Sequence, residues 1–400
     1  MKHICFDKNR CTGCTACESI CPKKCIKMKE SSEGFLYPTI NEEICIDCGL
    51  CIKTCPVNQI ADGKNQIADK YFIKAGYIVR IKDTDLISRS TSGGAFTAMA
   101  NYVLDQKGIV YGAIYDDSMN VIHQRISTKS HVTRLPGSKY VQSDISGIFA
   151  KVQLDILDGY IVLFCGTPCQ VAGLVAFLGK KPSNLFLVDL VCHGVPSPKL
   201  WNKYLKYQEE KYGKLVYSNF RSKYYGYHVT VMEERYKSGK LLLGSARTNM
   251  MLKCYFKNAA DRESCYNCSF KTIERMSDLT IFDCWHAGKI NTELKDDTGY
   301  TSVIVQSENG KKLLLACSNL LDIYSADIQT LLKLDGTMVM NSVCRPIERD
   351  LFYKKLNGNS IAKVVNDLFP ITKKDQMIEK SKDVFHKVGI LSLIKSLKKN

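Results

Sequence analysis

Runs of apolar residues in the middle of the chain alternate with segments of helical character. The apolar runs predict β-strands at 75–81, 108–115, 121–126, 161–165 and 185–191. The other segments predict α-helices at 95–104, 145–157, 168–179 and 199–210. This alternation favours an α/β domain with a largely buried sheet, whose ligands bind beyond the carboxyl ends of the strands.

The pattern changes on either side of this region. Further strands are predicted at 216–220, 227–236, 241–243 and 301–306, and an amphipathic helix is predicted at 311–317. Near the N-terminus, short apolar stretches at 26–28 and 35–40 flank a polar turn and predict a small hairpin. The polar, weakly periodic residues 57–70 are interpreted as a linker. The predicted fold class is therefore an α+β module followed by a mixed α/β domain.

The last forty residues alternate apolar and lysine positions. Such a pattern predicts a basic, amphipathic helical tail, which we expect to be solvated. A weak contact with a membrane surface or a partner is the alternative.

The stretch 161–179 carries no charged residue and is about long enough to cross a bilayer. Gly166, Thr167 and Pro168 interrupt it, and proline opens helices well while disfavouring helix at the residue before it. The stretch is therefore interpreted as a buried strand, a turn and a helix.

The chain has 400 residues, a formal net charge of +16 and 19 cysteines. Its length predicts two or three domains. A basic surface suits an acidic ferredoxin, a phosphate-bearing cofactor, an anionic substrate or a membrane. No nucleic-acid recognition motif accompanies the charge, so nucleic acid is not an expected partner. Residues 1–10 contain no apolar signal region, and scattered thiols suit a reducing, low-oxygen cytoplasm.

One cysteine pattern occurs twice in the first 56 residues. Each copy reads Cys-X-X-Cys-X-X-Cys-X-X-X-Cys-Pro. In two-cluster ferredoxins the fourth cysteine of each copy ligates the other 4Fe-4S cluster. The predicted ligand sets are Cys11, Cys14, Cys17 and Cys55 for one cluster and Cys45, Cys48, Cys51 and Cys21 for the other. The motif thus indicates electron transfer.

Zinc and disulfides explain this repeat less well. Structural zinc normally takes four ligands from two separated pairs, not two identical runs of four. Disulfides require an oxidising compartment. We therefore predict two 4Fe-4S clusters.

Two features of the larger domain have alternative interpretations. The turn Ser92-Gly93-Gly94 opens a helix, so it could cradle a phosphate or serve as an ordinary cap. Cys169 and Cys192 lie in turns after predicted strands, and Cys265 and Cys268 form a further pair. These four cysteines could hold a third cluster, or they could be buried as small apolar residues.

Several stretches together are similar to a known family. They are SGGAFTAM (92–99), KYVQS (139–143), GTPCQVAGL (166–174), DLVCHGVPSPKLW (189–201), the Cys265/Cys268 pair and SDLTIFDCW (277–285). In this order they resemble the beta subunit family of coenzyme F420 (deazaflavin) hydrogenases and dehydrogenases. Members with an N-terminal two-cluster module are similar in architecture to deazaflavin dehydrogenases and to the plant hydroxymethyl-chlorophyll reductase.

The resemblance implies a flavin, usually FAD with FMN as the other form. The residues that it places near the flavin are Ser92, Gly93, Gly94, Lys139, Tyr140, Gln142, Ser143, Gly166, Thr167 and Gln170. It also favours a third 4Fe-4S cluster on Cys169, Cys192, Cys265 and Cys268, with Cys254 in reserve. The remaining cysteines are expected to be structural: Cys5, Cys25, Cys165, Cys284, Cys317 and Cys344.

The chain departs from the family pattern at one motif. Where the family usually has Gly-Asp-Phe-Trp-Gly, residues 282–286 read Phe-Asp-Cys-Trp-His. If the two glycines let the backbone approach a ligand, the pocket of this chain is altered.

The expected organisation is a two-cluster module (1–60), a linker (61–72), a flavin domain (73–345) and a basic helical tail (346–400). The expected function is that of an oxidoreductase linking a one-electron carrier, such as a ferredoxin or a partner redox subunit, to a two-electron organic substrate. His193 and Asp283 are candidate proton donors because they lie in motif turns. The alternatives are an electron-relay subunit without its own substrate pocket, and a structural subunit.

Overall fold

The computed structural model describes residues 7–63 and 72–390. Its strands are β1 (Ile26–Glu30), β2 (Leu36–Ile40), β3 (Ala75–Ile81), β4 (Ile109–Tyr115), β5 (Val121–Ile126), β6 (Val162–Gly166), β7 (Leu185–Leu190), β8 (Leu215–Ser222), β9 (Val231–Tyr236), β10 (Leu241–Gly244), β11 (Leu279–Asp283), β12 (Thr301–Val305) and β13 (Leu321–Ala326).

The α-helices of the same ranges are α1 (Ala16–Ile20), α2 (Leu50–Lys53), α3 (Pro56–Ala61), α4 (Thr84–Arg89), α5 (Ala95–Asp105), α6 (Ile148–Leu157), α7 (Pro168–Leu178), α8 (Pro198–Tyr212), α9 (Met250–Phe256), α10 (Ala287–Ile290), α11 (Glu308–Ala316), α12 (Ile328–Leu334), α13 (Thr337–Met340), α14 (Arg349–Gly358), α15 (Ile361–Leu368) and α16 (Lys373–Lys387). Short 3₁₀ turns occupy Lys129–Arg134, Glu263–Cys265 and Thr292–Leu294.

The N-terminal module (7–63) consists of the antiparallel β1–β2 hairpin and three short helices. In both copies of the cysteine motif a residue with left-handed backbone precedes the helix, Thr15 in the first and Gly49 in the second. The hairpin confirms the prediction. The linker predicted over 57–70 is wrong at its start, because Pro56 opens α3 and buries Val57. Cys5 and residues 64–71 lie outside the described ranges.

The larger domain is built on an eight-stranded sheet in the order β13-β3-β12-β11-β7-β6-β4-β5. Its four central strands, β11, β7, β6 and β4, are parallel, and the flanking strands pair antiparallel. Helices cover both faces of the sheet, α5 and α11 on one and α6 and α7 on the other. The predicted fold class, a mixed α/β domain behind a ferredoxin-like module, is confirmed.

The N-terminal module packs on the outer side of α7. Gly173 lies in the middle of that helix, and a Cβ there would stand 2.8 Å from the Cβ of Cys14 and 3.0 Å from its Sγ. A glycine at this position therefore lets the first cysteine loop reach the helix surface. The stretch 161–179, which forms β6 and α7, is the predicted strand, turn and helix.

A second core lies beside the sheet, between the antiparallel strands β8–β10 and the helices α8, α9, α14 and α15. Trp201 is at its centre, and Phe352 and Val364 are fully buried in it. The tail predicted over 346–400 is thus wrong for its first two helices, which are part of the body. Of the three tail helices in the described ranges, α14, α15 and α16, only α16 buries no residue. Residues 391–400 lie outside the described ranges.

Most predicted bounds agree with the structure to within three residues. The exception is the strand predicted over 227–236, which begins only at Val231. Tyr227 stacks instead on Trp285, with ring centroids 4.5 Å apart. Within the described ranges, no helix has the length and apolar character needed to cross a membrane.

Candidate redox centres and the adjoining polar site

The N-terminal module contains two cavities, each bordered by cysteines from both copies of the motif. One is lined by Cys11, Cys14, Cys17 and Cys55, together with Met28, Pro38 and Pro56. The other is lined by Cys45, Cys48, Cys51 and Cys21. We call these four-cysteine sets the first group and the second group. They are the two sets that the repeat predicts, and thiol donors around an apolar cavity suit 4Fe-4S clusters. Binding of iron stays a prediction.

Cys25 also borders the second cavity, and its Sγ lies 3.3 Å from that of Cys21. This cysteine matches no position of the repeated motif. The structure places it as a fifth thiol beside the second group.

Four cysteines of the larger domain, Cys169, Cys192, Cys265 and Cys268, influence one another electrostatically. Burial raises the pKa of Cys169 to about 11 and that of Cys192 to about 12, and the nearby Cys268 adds to both shifts. Burial raises the pKa of Cys265 well above its ordinary value, with contributions from Cys192 and Cys268. All four thiols therefore lie within electrostatic reach of their neighbours. We call them the third group.

Cys254, the reserve ligand, does not belong to this group. It is fully buried in the second core, in the same apolar cluster as Leu252 and Trp201. Burial raises the pKa of its thiol to about 12, and no other cysteine contributes to that shift.

Within the described ranges, no three His, Cys, Asp or Glu side chains are close enough together to hold a single metal ion. In a 4Fe-4S cube each thiolate binds a different iron, so its four ligands are more widely spaced than those of one ion. The spacing expected of the thiols in each cysteine group is therefore that of a 4Fe-4S cluster, not that of a single metal ion.

A half-buried cation stands beside the third group. The ammonium of Lys271 donates to the carbonyl oxygens of Cys192 and Met338, the latter at 2.8 Å. Burial lowers the pKa of Lys271, against the opposing effect of Cys192 and Cys268. Positive charge next to thiolates reduces the cost of burying them.

A polar site lies where β8 and β11 approach the Ser92 turn. Arg221 donates to a carboxylate oxygen of Asp283 at 2.9 Å and to the hydroxyl of Tyr140 at 3.3 Å. Its guanidinium lies 4.4 Å from the ring centroid of Trp285. The Arg221 side chain is only 10% exposed, and its Nη2 has no hydrogen-bond partner among the described residues. An unsatisfied, buried guanidinium nitrogen is costly unless a ligand accepts from it.

Lys223 joins this site to the predicted phosphate cradle. Its ammonium donates to the carbonyl oxygens of Ser92 at 2.6 Å and of Ile87 at 2.9 Å. Burial lowers the pKa of Lys223 to about 7. The hydroxyl of Thr301 pairs with that of Ser92 at 2.8 Å and accepts from the Gly93 N–H at 2.9 Å. One donor of the cradle is therefore already used within the protein.

Several residues predicted to lie near a flavin are hydrogen-bonded to one another, and their contact with a flavin stays a prediction. Gln170 accepts from the Thr167 N–H at 3.0 Å and donates to the Ser143 hydroxyl at 2.9 Å. Ser143 in turn contacts the buried His123, whose other ring nitrogen lies 3.0 Å from the Cys165 carbonyl oxygen. This network caps α7 and ties it to β5.

Two other residues predicted to lie near a flavin also make hydrogen bonds within the protein. Lys139 donates to the carbonyl oxygens of Leu135 and Gly137, both at 3.1 Å. Gln142 donates to the Thr12 carbonyl oxygen at 2.9 Å, so it contacts the N-terminal module. Among the residues of this prediction, Ser92, Gly93 and Tyr140 remain at the polar site.

The two candidate proton donors lie at opposite ends of a chain of contacts. The Nε2 of His193 pairs with the Asn258 side-chain oxygen at 2.8 Å, and burial lowers the pKa of this histidine. The ring of Tyr255 lies 4.8 Å from that of His193 and stacks on Tyr140 at 4.2 Å. The hydroxyl of Tyr140 accepts a hydrogen bond from Arg221, which also donates to Asp283. His193 therefore borders the third group, whereas Asp283 belongs to the polar site.

The altered motif at 282–286 has a structural explanation at one position. The His286 Nδ1 pairs with a carboxylate oxygen of Asp335 at 2.7 Å, and its backbone N–H donates to the same carboxylate at 3.0 Å. Phe282 is buried in the core of the sheet.

Sequence reasoning missed Arg221, Lys223, Lys271, Gly173 and Arg262. Arginine and lysine are common in this basic chain, and nothing in the sequence around Gly173 shows that another loop packs on its helix. Only Arg262, three residues before the Cys265/Cys268 pair, had a local signal.

Comparisons with known proteins agree with the division into an N-terminal cysteine module and a larger domain. Residues 160–329 match the family model for the C terminus of the beta subunit of coenzyme F420 hydrogenase/dehydrogenase, and residues 10–59 match the model for a 4Fe-4S dicluster domain. An uncharacterized protein of Methanocaldococcus jannaschii is 24% identical, over 78% of this chain and 87% of the relative. The beta subunit of F420-dependent formate dehydrogenase 1 of Methanococcus maripaludis is 26% identical, over 60% of this chain and 58% of the relative.

Among solved structures, the F420-reducing [NiFe] hydrogenase complex of Methanosarcina barkeri contains a similar chain. The TM-score is 0.43 at 16% identity, over 77% of this chain and 97% of the other. A likeness this distant carries no argument about function.

Proposed function

We propose a function from two matches: residues 10–59 match the model of a 4Fe-4S dicluster domain, and residues 160–329 match that of the C terminus of the coenzyme F420 hydrogenase/dehydrogenase beta subunit. The chain is an iron-sulfur oxidoreductase that exchanges electrons between a one-electron carrier and a two-electron organic partner. The carrier is a ferredoxin-like protein or a partner redox subunit.

One observation carries this proposal: the first cysteine group adjoins both the second and the third. Cys17 of the first group and Cys21, Cys45 and Cys51 of the second pack against the same buried pair, Cys25 and Ile26. Cys169 of the third group contributes to the raised pKa of Cys14, after burial, and both pack in one apolar cluster with Cys55 and Cys268. Adjoining redox sites that link the N-terminal module to the larger domain suit electron transfer.

The proposed ligand sets follow these groups. The first and second 4Fe-4S clusters use the crossed sets of the N-terminal module, and the third uses Cys169, Cys192, Cys265 and Cys268. Clusters supply one-electron transfer, and a flavin supplies the exchange between one-electron and two-electron steps. The residues of this chain bury the thiols of the third group, and Lys271 beside them neutralises part of their charge.

We place the two-electron chemistry at the polar site. The Nη2 of Arg221, which has no partner among the described residues, offers positive charge to an anionic group. Lys223 lies nearby, and a bound anion would favour its protonated form against the burial that lowers its pKa to about 7. Trp285 and Tyr140 provide ring surfaces beside them. We propose FAD or FMN as the bound cofactor and the F420 named in the relative's description as its exchange partner. Asp283 is the proposed proton-handling group at this site, and His193 is the candidate beside the third group.

The test is the content of iron, acid-labile sulfide and released flavin in anaerobically purified protein. We expect about twelve irons and one flavin per chain, falling to about eight irons in Cys265→Ser. Cys344→Ser is the matched control, because Cys344 is exposed and lies outside all three groups. About eight irons in both the wild type and Cys265→Ser would refute the third cluster, and absence of flavin would refute the proposed cofactor.

A relay role is the second candidate, favoured because the relative is named as a subunit. In that case the chain passes electrons on and has no substrate site. F420 reduction by the isolated, flavin-loaded chain would exclude the relay role, whereas activity only with a partner subunit would support it.

A further inference from the structure

We propose that Arg262 raises the reduction potential of the first cluster, acting as a positioning residue between that cluster and the third cysteine group. The inference rests on the proposed function, because it takes Cys11 as a cluster ligand. Neither the family resemblance nor the cysteine motif assigns a role to this arginine.

Arg262 belongs to the larger domain but its side chain ends inside the N-terminal module. Its Nε donates to the Cys11 carbonyl oxygen at 2.7 Å, and its Nη2 donates to the Leu36 carbonyl oxygen at 2.9 Å. The same Nη2 lies 3.7 Å from the Cys11 Sγ, within hydrogen-bond distance of a sulfur. The residue is 1% exposed. A buried cation thus contacts a predicted ligand sulfur directly.

Its charge has no carboxylate partner within ion-pair distance among the described residues. The ring of Tyr37 lies under the guanidinium at 4.1 Å, which offers cation–π attraction but no negative charge. Arg262 also lowers the pKa of Cys169, against the larger effect of burial. A buried charge needs a counter-charge, and the thiolates of the first and third groups are the ones that the structure offers.

The site around Arg262 is fitted to this side chain. Gln142 accepts from its Nη1 at 3.1 Å and donates to the Thr12 carbonyl oxygen at 2.9 Å. Gly13 has a φ of 70°, and a Cβ there would stand 2.9 Å from Nη1. The first cysteine loop therefore leaves room for the guanidinium. Reduction adds negative charge to a cluster, and positive charge and hydrogen bonds at its sulfurs favour the reduced state.

Arg349 provides a matched control. It is also a buried arginine of the larger domain that reaches the N-terminal module, where it donates to the two carboxylate oxygens of Glu33 at 2.9 and 2.8 Å. Its ion-pair partners are carboxylates, and no cysteine is among its contacts in the described ranges. Loss of Arg349 therefore weakens the same interdomain contact without changing the charge beside a sulfur.

The experiment is an EPR-monitored redox titration of the full, anaerobically purified chain. In Arg262→Gln we expect one cluster transition to move to more negative potential. The reduced-to-oxidised ratio at fixed potential should fall about tenfold, the loss of one hydrogen bond to a charged group, or about 59 mV for one electron. Arg262→Lys keeps the charge and should move the transition less. Arg349→Gln should leave every transition in place.

Other outcomes would decide against the inference. It is overturned if no transition moves in Arg262→Gln, or if Arg349→Gln moves the same transition equally. Loss of four irons in Arg262→Gln alone would support the contact between Arg262 and the first cluster. Equal loss of iron in Arg262→Gln and Arg349→Gln would refute a specific role of Arg262. A wild-type chain without clusters would refute the proposed function as well; intact clusters with unchanged potentials would refute only the role of Arg262.

Discussion

The N-terminal module and the sheet domain bury their apolar side chains differently. Ala16 and Val57 pack into the core around α7, and Phe35 packs into the core around Trp201. Only Cys25 and Ile26 form a buried cluster within the module, and cysteines surround it. The sheet domain instead has a continuous core on each face of eight strands. A segment with so little core of its own needs other bonds to fold, and in this module the bonds to iron are the proposed ones.

Removal of iron gives the largest expected difference between the two regions. Anaerobic chelation should abolish hydrogen-exchange protection in the β1–β2 hairpin, because the cysteine loops lose their cross-links. Protection in β6 and β7 should persist. Hydrogen exchange followed by mass spectrometry measures both segments in one sample. Equal loss of protection in the hairpin and the sheet would contradict the comparison.

A cavity in the sheet core should have the opposite effect. Leu163 is fully buried on the α5 face, away from the N-terminal module. Leu163→Ala should lower the free energy of unfolding of the sheet domain by about 2–5 kcal/mol, through lost burial and an unfilled cavity. Iron content at low denaturant should stay at the wild-type value. Denaturant unfolding followed by far-UV circular dichroism, with iron measured in parallel, checks this; loss of iron before any unfolding would contradict it.

The smallest effect is expected where the two regions touch. Gly173→Ala should destabilise the protein by about 1–3 kcal/mol, because the new methyl group meets Cys14 at less than contact distance. The usual advantage of alanine within a helix would be reversed. Gly358→Ala is the control, since Gly358 also lies in a helix and nothing stands within 4 Å of the point that its new methyl group would occupy. Thermal unfolding should therefore separate the two variants; a gain of stability in both would show that the module does not press on α7.

Local patterns predicted much of this structure. The strand predicted at 75–81 was correct in both bounds because its signal is a continuous run in the sequence. The cysteine repeat predicted which thiols share a cavity because its spacing is itself the signal. In α14 and α15 the pattern predicted helix correctly. Their burial depends on a partner surface on α8 and α9, which no local pattern describes.

Contacts between residues that are far apart in the sequence also escape prediction from local patterns. Gln142 is separated by 130 residues from the carbonyl group that it binds, and Arg262 by 251 residues from Cys11. A polar side chain in a motif turn can serve a ligand or another loop, and only the folded chain distinguishes the two. Arg221 and Lys223 lie in a strand and the turn after it, where no motif marked them.

The distance in sequence between Arg262 and Cys11 also has a consequence for biosynthesis. The chain leaves the ribosome from its N-terminus, and domains fold largely as units in that order. The N-terminal module is therefore complete about two hundred residues before Arg262 is translated. During that interval the first cysteine loop lacks the guanidinium, and until residues 168–178 are translated it also lacks the α7 surface. Iron delivery to a nascent chain would meet an accessible loop, and translation of the later residues would then close it.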